Sequence, residues 1–184
     1  MLKIESNRIG LWALPYQQVI DLSRDRNMLE KSIGLTASRF ELNADPSFLE
    51  EFNAALIHYV APKVQQHEMF YEWFTHWLIV DRHYNLTAGG IGATGLPDEA
   101  GQVMIGYFID KKFERRGYAT EAVHLFTGWM FRHEKLASVI ADTPPDHTGS
   151  QKVLLKAGFI CEGETEDGLR WCLSRQPARA LVAG

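Results

Sequence analysis

Arg115, Arg116 and Gly117 have the residue types and spacing from which an anion site can be built. They lie in the run Phe113-Glu114-Arg115-Arg116-Gly117-Tyr118-Ala119-Thr120-Glu121-Ala122. An apolar, strand-like stretch over residues 103–109 precedes this run, and a helix-like stretch to about Arg132 follows it. A helix start leaves backbone N–H groups unpaired and carries partial positive charge. Gly117 and Ala119 keep side chains out of the way, so an anion can approach the backbone closely. Taken alone, the motif also reads as a solvated basic turn that caps a helix, because short glycine motifs are common.

The elements that must position this turn can be read in order. Residues 9–14 form a first strand, and Pro15 suits the start of a helix with Val19, Ile20 and Leu22 as its buried stripe. Asp25 is placed to cap a short helix over 27–33, stopped by Gly34. Asp45-Pro46-Ser47 opens a longer helix whose stripe is Phe48, Phe52, Leu56 and Tyr59, with Pro62 expected to end it. Residues 65–70 are a connection. Strands are expected over 73–80, 86–94 and 102–110, forming a meander. After the basic turn and its helix come a strand over 136–142, a helix over 147–157 stopped by Gly158, and a hairpin of 159–165 and 169–174 around Glu166-Asp167-Gly168. Strand, helix, strand implies a crossover connection.

Composition narrows the class. The chain has 184 residues, 46% hydrophobic and 23% charged, which are globular values for one domain over 1–175 with a loose tail over 176–184. A net charge of −4 argues against a nucleic-acid partner. No run is long and apolar enough for a signal peptide or a membrane span, so a cytoplasmic protein with no membrane partner is expected. The two cysteines, Cys161 and Cys172, have neither disulfide-framework nor metal-site spacing, and free thiols and no metal are expected.

Two blocks together resemble the GNAT superfamily of acetyl-CoA-dependent N-acyltransferases, and within it the RimJ/RimL-type branch. The superfamily pattern Gln/Arg-x-x-Gly-x-Gly/Ala is met by Glu114-Arg115-Arg116-Gly117-Tyr118-Ala119, followed by Thr120-Glu121-Ala122 as in the branch. The branch pattern Asn-x-x-Ser-x-x-Val-Leu-x-Lys-x-Gly-Phe is met by His147-Thr148-Gly149-Ser150-Gln151-Lys152-Val153-Leu154-Leu155-Lys156-Ala157-Gly158-Phe159. The chain departs from these patterns at Glu114, in place of Gln or Arg, and at His147, in place of Asn. The resemblance implies an α/β (α+β) fold: a mixed, mostly antiparallel sheet of about seven strands with a splayed parallel pair, flanked by helices on both faces.

It also implies acetyl-CoA as acyl donor and a primary amine, on a peptide N-terminus or a small molecule, as acceptor. The pyrophosphate would rest on the N–H groups of Arg116, Gly117, Tyr118, Ala119 and Thr120, with Arg115 and Arg116 adding charge. The pantetheine arm would enter between strands 102–110 and 136–142 and bond to the backbone of Tyr107, Phe108 and Ile109. An N–H near Phe108 or Ile109 would polarise the thioester carbonyl. Ser150 would donate to the leaving thiol, and His147 could protonate it; in the bland alternative both merely serve the helix start. Tyr107 and Tyr118 either touch the cofactor or simply pack, Asp142 is a base candidate or a strand-end cap, and Glu72, His76 and His83 read as structural or exposed. The acceptor region would be built from the N-terminal helices and the final hairpin. A homodimer is left open. The rival from another class is a non-catalytic acyl-CoA sensor. A nucleotide-binding protein is disfavoured by the lack of GxxxxGK[ST].

Overall fold

The computed structural model describes residues 1–37, 39–45, 47–166 and 168–176. Pro46, Asp167 and the tail from residue 177 onward, all part of the expectations above, lie outside the described residues.

The order is β1 (Lys3–Glu5), β2 (Ile9–Ala13), α1 (Tyr16–Arg24), α2 (Arg26–Ser32), α3 (Ser47–Ala55), a π-helical turn (Leu56–Val60) and α4 (Ala61–Gln66). Then come β3 (His76–Asp81), β4 (Leu86–Ala93), β5 (Gln102–Ile109), α5 (Tyr118–Met130), β6 (Ser138–Thr143), α6 (Thr148–Lys156), β7 (Ile160–Thr165) and β8 (Gly168–Ser174). The eight strands form one sheet in the order β1-β2-β3-β4-β5-β6-β8-β7, antiparallel except for the pair β5–β6. The expected count was about seven. The added strand is β1, a three-residue edge paired to β2, whose Lys3 and Glu5 flank a single apolar residue and leave little strand signal.

Every residue of β2 is buried, and its side chains alternate between two cores, as a sheet covered on both faces requires. Ile9, Leu11 and Ala13 join one core with Val123, Phe126 and Met130 of α5, whereas Trp12 and Leu14 join another with Val19, Leu22 and Leu29 of α1 and α2. Helices therefore cover both faces. The caps behave as their residues dictate: the Asp25 carboxylate accepts from the Met28 N–H at 3.0 Å, and Gly34 and Gly158 take φ of +84° and +89° beyond the ends of α2 and α6.

Two expectations are corrected. Pro62 does not end the helix begun at Ser47. The chain first widens into the π turn, where the Ala61 N–H reaches back to the Leu56 carbonyl, and α4 then continues with Pro62 in its first turn. Proline is tolerated there because it has no N–H to satisfy. The strand expected from Trp73 begins only at His76, because residues Glu68–Trp73 form a 3-10 turn held by the Trp77 indole donating to the Glu72 carbonyl at 2.8 Å.

The parallel pair places the site. β5 and β6 are paired at Gln102↔Ser138, Val103↔Val139 and Met104↔Ile140, and no further. Beyond Met104 the strands diverge, while β5 stays paired to β4 through Ile109. One edge of residues 105–109 is thereby left open.

Candidate active site

A cleft of about 890 Å³ occupies this opening. Its walls are Ile105–Ile109 on one side and Ala141–Pro144 with the start of α6 on the other, and it runs to the N-terminus of α5. Among the residues singled out from the sequence, Tyr107, Phe108, Ile109, Arg115, Gly117, Tyr118, Ala119, Thr120, His147 and Ser150 all line it. Arg116 does not, and its carbonyl instead accepts from the Arg8 guanidinium at 2.9 Å.

The basic turn is a backbone anion nest. Arg115 and Gly117 adopt φ of +60° and +82°, the left-handed region, on either side of Arg116. Alternation of this kind turns successive N–H groups toward one concavity. Gly117 is also the cap of α5, which lacks a side-chain cap bond. Among the described residues the N–H groups of Arg116 to Thr120 have no hydrogen-bond acceptor, and the first paired N–H is that of Glu121, on the Gly117 carbonyl. An anion at this point would meet a row of free donors.

Residues outside the motif hold the turn in place. The buried Tyr118 ring packs edge-on against Phe113 at 5.0 Å, and its hydroxyl donates to the Asp81 carboxylate of β3. Burial, ahead of that bond, pushes the Tyr118 phenol up to about 12. Its side chain is a structural anchor, and what Tyr118 offers the cleft is its N–H. Glu121, an acid in the first turn of α5, is neutralised by Arg8 at 2.6 Å and receives the Ser6 hydroxyl at 2.6 Å. Arg8 also lies over the Tyr118 ring at 4.6 Å. Ser6 and Arg8 stand over a hundred residues away in sequence, so no local spacing could have revealed them.

The register of β5 sorts its donors. The Asp110 N–H bonds to Ala88 and the Met104 carbonyl accepts from Thr94, both toward β4. Alternation then points the backbone of Gly106 and Phe108 at β4, and that of Ile105, Tyr107 and Ile109 at the cleft. This corrects the expectation for Phe108 as a backbone donor: its N–H faces β4 within the sheet, and among the described residues Ile109 and Tyr107 carry the N–H groups left unpaired on the cleft side. The Phe108 side chain serves elsewhere. It sits amid Phe40, Phe48 and Phe52 at ring distances of 6.0, 5.8 and 5.1 Å and stacks on His76 at 5.6 Å. This aromatic group lies on the α1–α3 face, opposite α5. The buried His76 is pushed down to about 3, chiefly by burial and secondarily by Arg26, so it is neutral at any ordinary pH.

At the far wall, His147 caps α6: its Nδ1 accepts from the Ser150 N–H at 3.2 Å. The Tyr107 hydroxyl donates to the Ser150 carbonyl at 3.2 Å, tying β5 to α6 across the cleft. Burial pushes the Tyr107 phenol up to about 12, so it stays protonated. Asp142 is held in a two-pronged pair with Arg170, at 2.9 and 2.7 Å, which uses both carboxylate oxygens. That pairing removes Asp142 as a base and makes it a tie between β6 and β8. Lys152 and Lys156 add positive charge along the α6 wall, and Glu114 is also part of the lining. No group of three or more His, Cys, Asp or Glu side chains among the described residues could hold a metal ion, and both cysteines are free.

The sequence over residues 35–160 matches the profile of the acetyltransferase (GNAT) domain. The chain is 28% identical over 171 residues to the uncharacterized N-acetyltransferase YjdG of Bacillus subtilis, covering 93% of this chain and 97% of that one. It is 46% identical over 60 residues, a third of each chain, to the probable N-acetyltransferase YjcK of the same organism. Among solved structures, the ribosomal-protein-S5-alanine acetyltransferase of Vibrio fischeri superposes with a TM-score of 0.64 at 17% identity, covering 95% of this chain and 97% of that one. The RimL ribosomal L7/L12 α-N-protein acetyltransferase, in complex with coenzyme A, superposes with a TM-score of 0.64 at 16% identity, covering 94% and 98%. The chain belongs to the GNAT acetyltransferase family, whose members use acetyl-CoA.

Proposed function

We propose that this GNAT acetyltransferase moves an acetyl group from acetyl-CoA to the primary amine of a peptide N-terminus or a small molecule, by direct attack and without an acyl-enzyme. The observation that carries this reading is the ending of the β5–β6 pairing at Met104↔Ile140. It opens a cleft that joins free helix N–H groups at one end to free strand N–H groups and the Phe108 aromatic group at the other. The residues present fit acetyl-CoA. The N–H groups of Gly117–Thr120 would hold the pyrophosphate, with Arg115, Lys152 and Lys156 adding charge, and the open edge of Tyr107 and Ile109 would hold the amide-bearing arm.

Bound there, acetyl-CoA supplies the activated acyl carbon. The N–H of Ile109 or Tyr107 stabilises negative charge on the acyl oxygen, a contribution of about 3 kcal/mol per donor in such sites. The acceptor enters as a neutral amine from the Phe108 side, where the aromatic rings exclude water. Ser150 donates to the departing sulfur, and the Tyr107 hydroxyl and the His147 imidazole position it by gripping the first turn of α6. The likeness in fold to the ribosomal L7/L12 α-N-protein acetyltransferase supports a peptide N-terminus as one acceptor class.

The test is calorimetric titration with CoA, followed by thiol release from acetyl-CoA across a panel of N-terminal peptides and small amines. Saturable CoA binding with amine-dependent thiol release is expected. Binding without transfer to any amine would favour an acyl-CoA sensor, and absence of binding would overturn the assignment of the cleft.

A further inference from the structure

The cleft has a mouth on each face of the sheet. One is lined by the starts of α5 and α6. The other is lined by Phe48 of α3, whose ring meets that of Phe108 edge-on at 5.8 Å. Gly106 stands at this second mouth, on the same face of β5 as Phe108 by strand alternation. It is exposed, although β5 is the fifth of eight strands in the sheet and every other residue of β5 is buried or half-buried.

Glycine weakens a strand interior, so its presence needs a reason. Its neighbours have one. A Cβ at Gly89 would lie 2.2 Å from the Phe108 carbonyl oxygen, and one at Gly90 would lie 2.1 Å from the His76 ring. Gly106 has no such neighbour. A Cβ added to it meets no atom within 4 Å, and its φ lies outside the left-handed region. Neither packing nor backbone conformation asks for glycine here. The remaining reason for a strand glycine is close approach by a ligand. Gly92, directly opposite on β4, extends the same bare surface, since a Cβ there would meet only the Thr75 carbonyl oxygen at 3.3 Å. Together the two glycines make a floor of backbone that leads from the cleft edge of β5 alongside Phe108. The N–H and carbonyl of Gly106 point at β4, so this floor offers room and no hydrogen bond. Room beside the reacting nitrogen serves an amine whose α-carbon carries substituents. An unbranched amine, such as a lysine side chain, would leave it empty.

We propose that Gly106 is a specificity-determining residue: its missing side chain makes room for the substituents on the acceptor's α-carbon, and so selects the α-amine of a peptide over the terminal amine of an unbranched chain. The inference rests on the transferase reading given above and narrows the acceptor within it.

The experiment compares Ser-Ala-Ala-amide with Nα-acetyl-lysine-amide as acceptors, by thiol release from acetyl-CoA, in the unaltered protein, Gly106→Ala and Gly106→Val. In the unaltered protein kcat/KM should be about tenfold or more higher for the peptide. The two substitutions should lower the peptide's kcat/KM in order of added volume, by about tenfold or more for Gly106→Val, chiefly through KM. The Kd for CoA should be unchanged, because the added side chain points away from α5 and α6. Gly106→Ala should unfold at no lower Tm, which separates loss of room from loss of fold and covers the case in which Gly106→Val does not fold. Equal use of the two amines, or a preference for the lysine amine, overturns the proposal. So does a peptide kcat/KM that neither substitution lowers, or a loss in Gly106→Ala matched by weaker CoA binding. A loss seen with butyryl-CoA as donor while acetyl transfer to the peptide stays intact also overturns it, and gives the space to the acyl chain. In all these cases thiol release with an amine leaves the transferase reading standing, whereas no thiol release with any amine would sink that reading and this inference together.

Discussion

Acid should destabilise this protein through His76, and the size of the effect follows from its burial. His76 lies between the rings of Phe52 and Phe108, its Nε2 has no partner among the described residues, and its pKa is pushed from 6.5 to about 3. The folded state therefore refuses a proton that the unfolded state accepts below pH 6.5. Stability from this group is full above that value and is lost progressively as pH falls toward 3. By pH 5 the loss is about 2 kcal/mol relative to pH 7, a large share of a typical folding free energy. For a chain of this length it corresponds to a fall in Tm of about 4–8 °C. The assay is thermal unfolding at pH 7 and pH 5 of the natural chain and of His76→Leu. The variant should be less stable at pH 7, because the packed ring is lost, yet should show a drop between the two pH values smaller by about 2 kcal/mol. Equal drops in the two proteins would refute the idea that His76 is buried and neutral.

Other outcomes follow from the same geometry. Gly117→Val forces a branched side chain into a φ of +82°, so CoA affinity measured by titration should fall more than tenfold while the protein stays folded; undiminished affinity would contradict the anion nest. Ser150→Ala should lower kcat about tenfold with little change in the Kd for CoA, and His147→Ala should have the smaller effect of a lost helix cap. Asp142→Asn should cost about 1–3 kcal/mol in denaturant unfolding by breaking the pair with Arg170, and should leave the shape of the pH–rate profile unaltered. A shift in that profile would restore Asp142 as a base.

The sequence carried the site's local parts and missed its long-range ones. The strand–turn–helix around Gly117 was legible because it needs a left-handed glycine and small neighbours within a few residues. The splay of β5 from β6 was expected from the family resemblance, and the register locates its end at Met104. The Phe108 donor was misassigned because strand alternation depends on the phase of pairing with β4, which a run of apolar residues does not disclose. The clamp of Ser6 and Arg8 on Glu121, and the cluster of Arg26, Phe40 and His76 around Phe108, join residues far apart in the chain. Their types were ordinary and only the fold brings them together. Pro62 misled for a related reason: a proline ends a helix only if the preceding turn cannot widen to receive it.

The central claim is that one cleft, floored by alternate N–H groups of β5 and headed by the start of α5, holds the acyl donor. Residue-resolved amide hydrogen exchange with and without CoA tests it most directly. Gly106 and Phe108 should be protected in both states, since they face β4. Tyr107, Ile109, Ala119 and Thr120 should exchange fast alone and become protected when CoA binds. CoA binding that leaves these four amides unprotected, or that protects a different surface, would contradict the account.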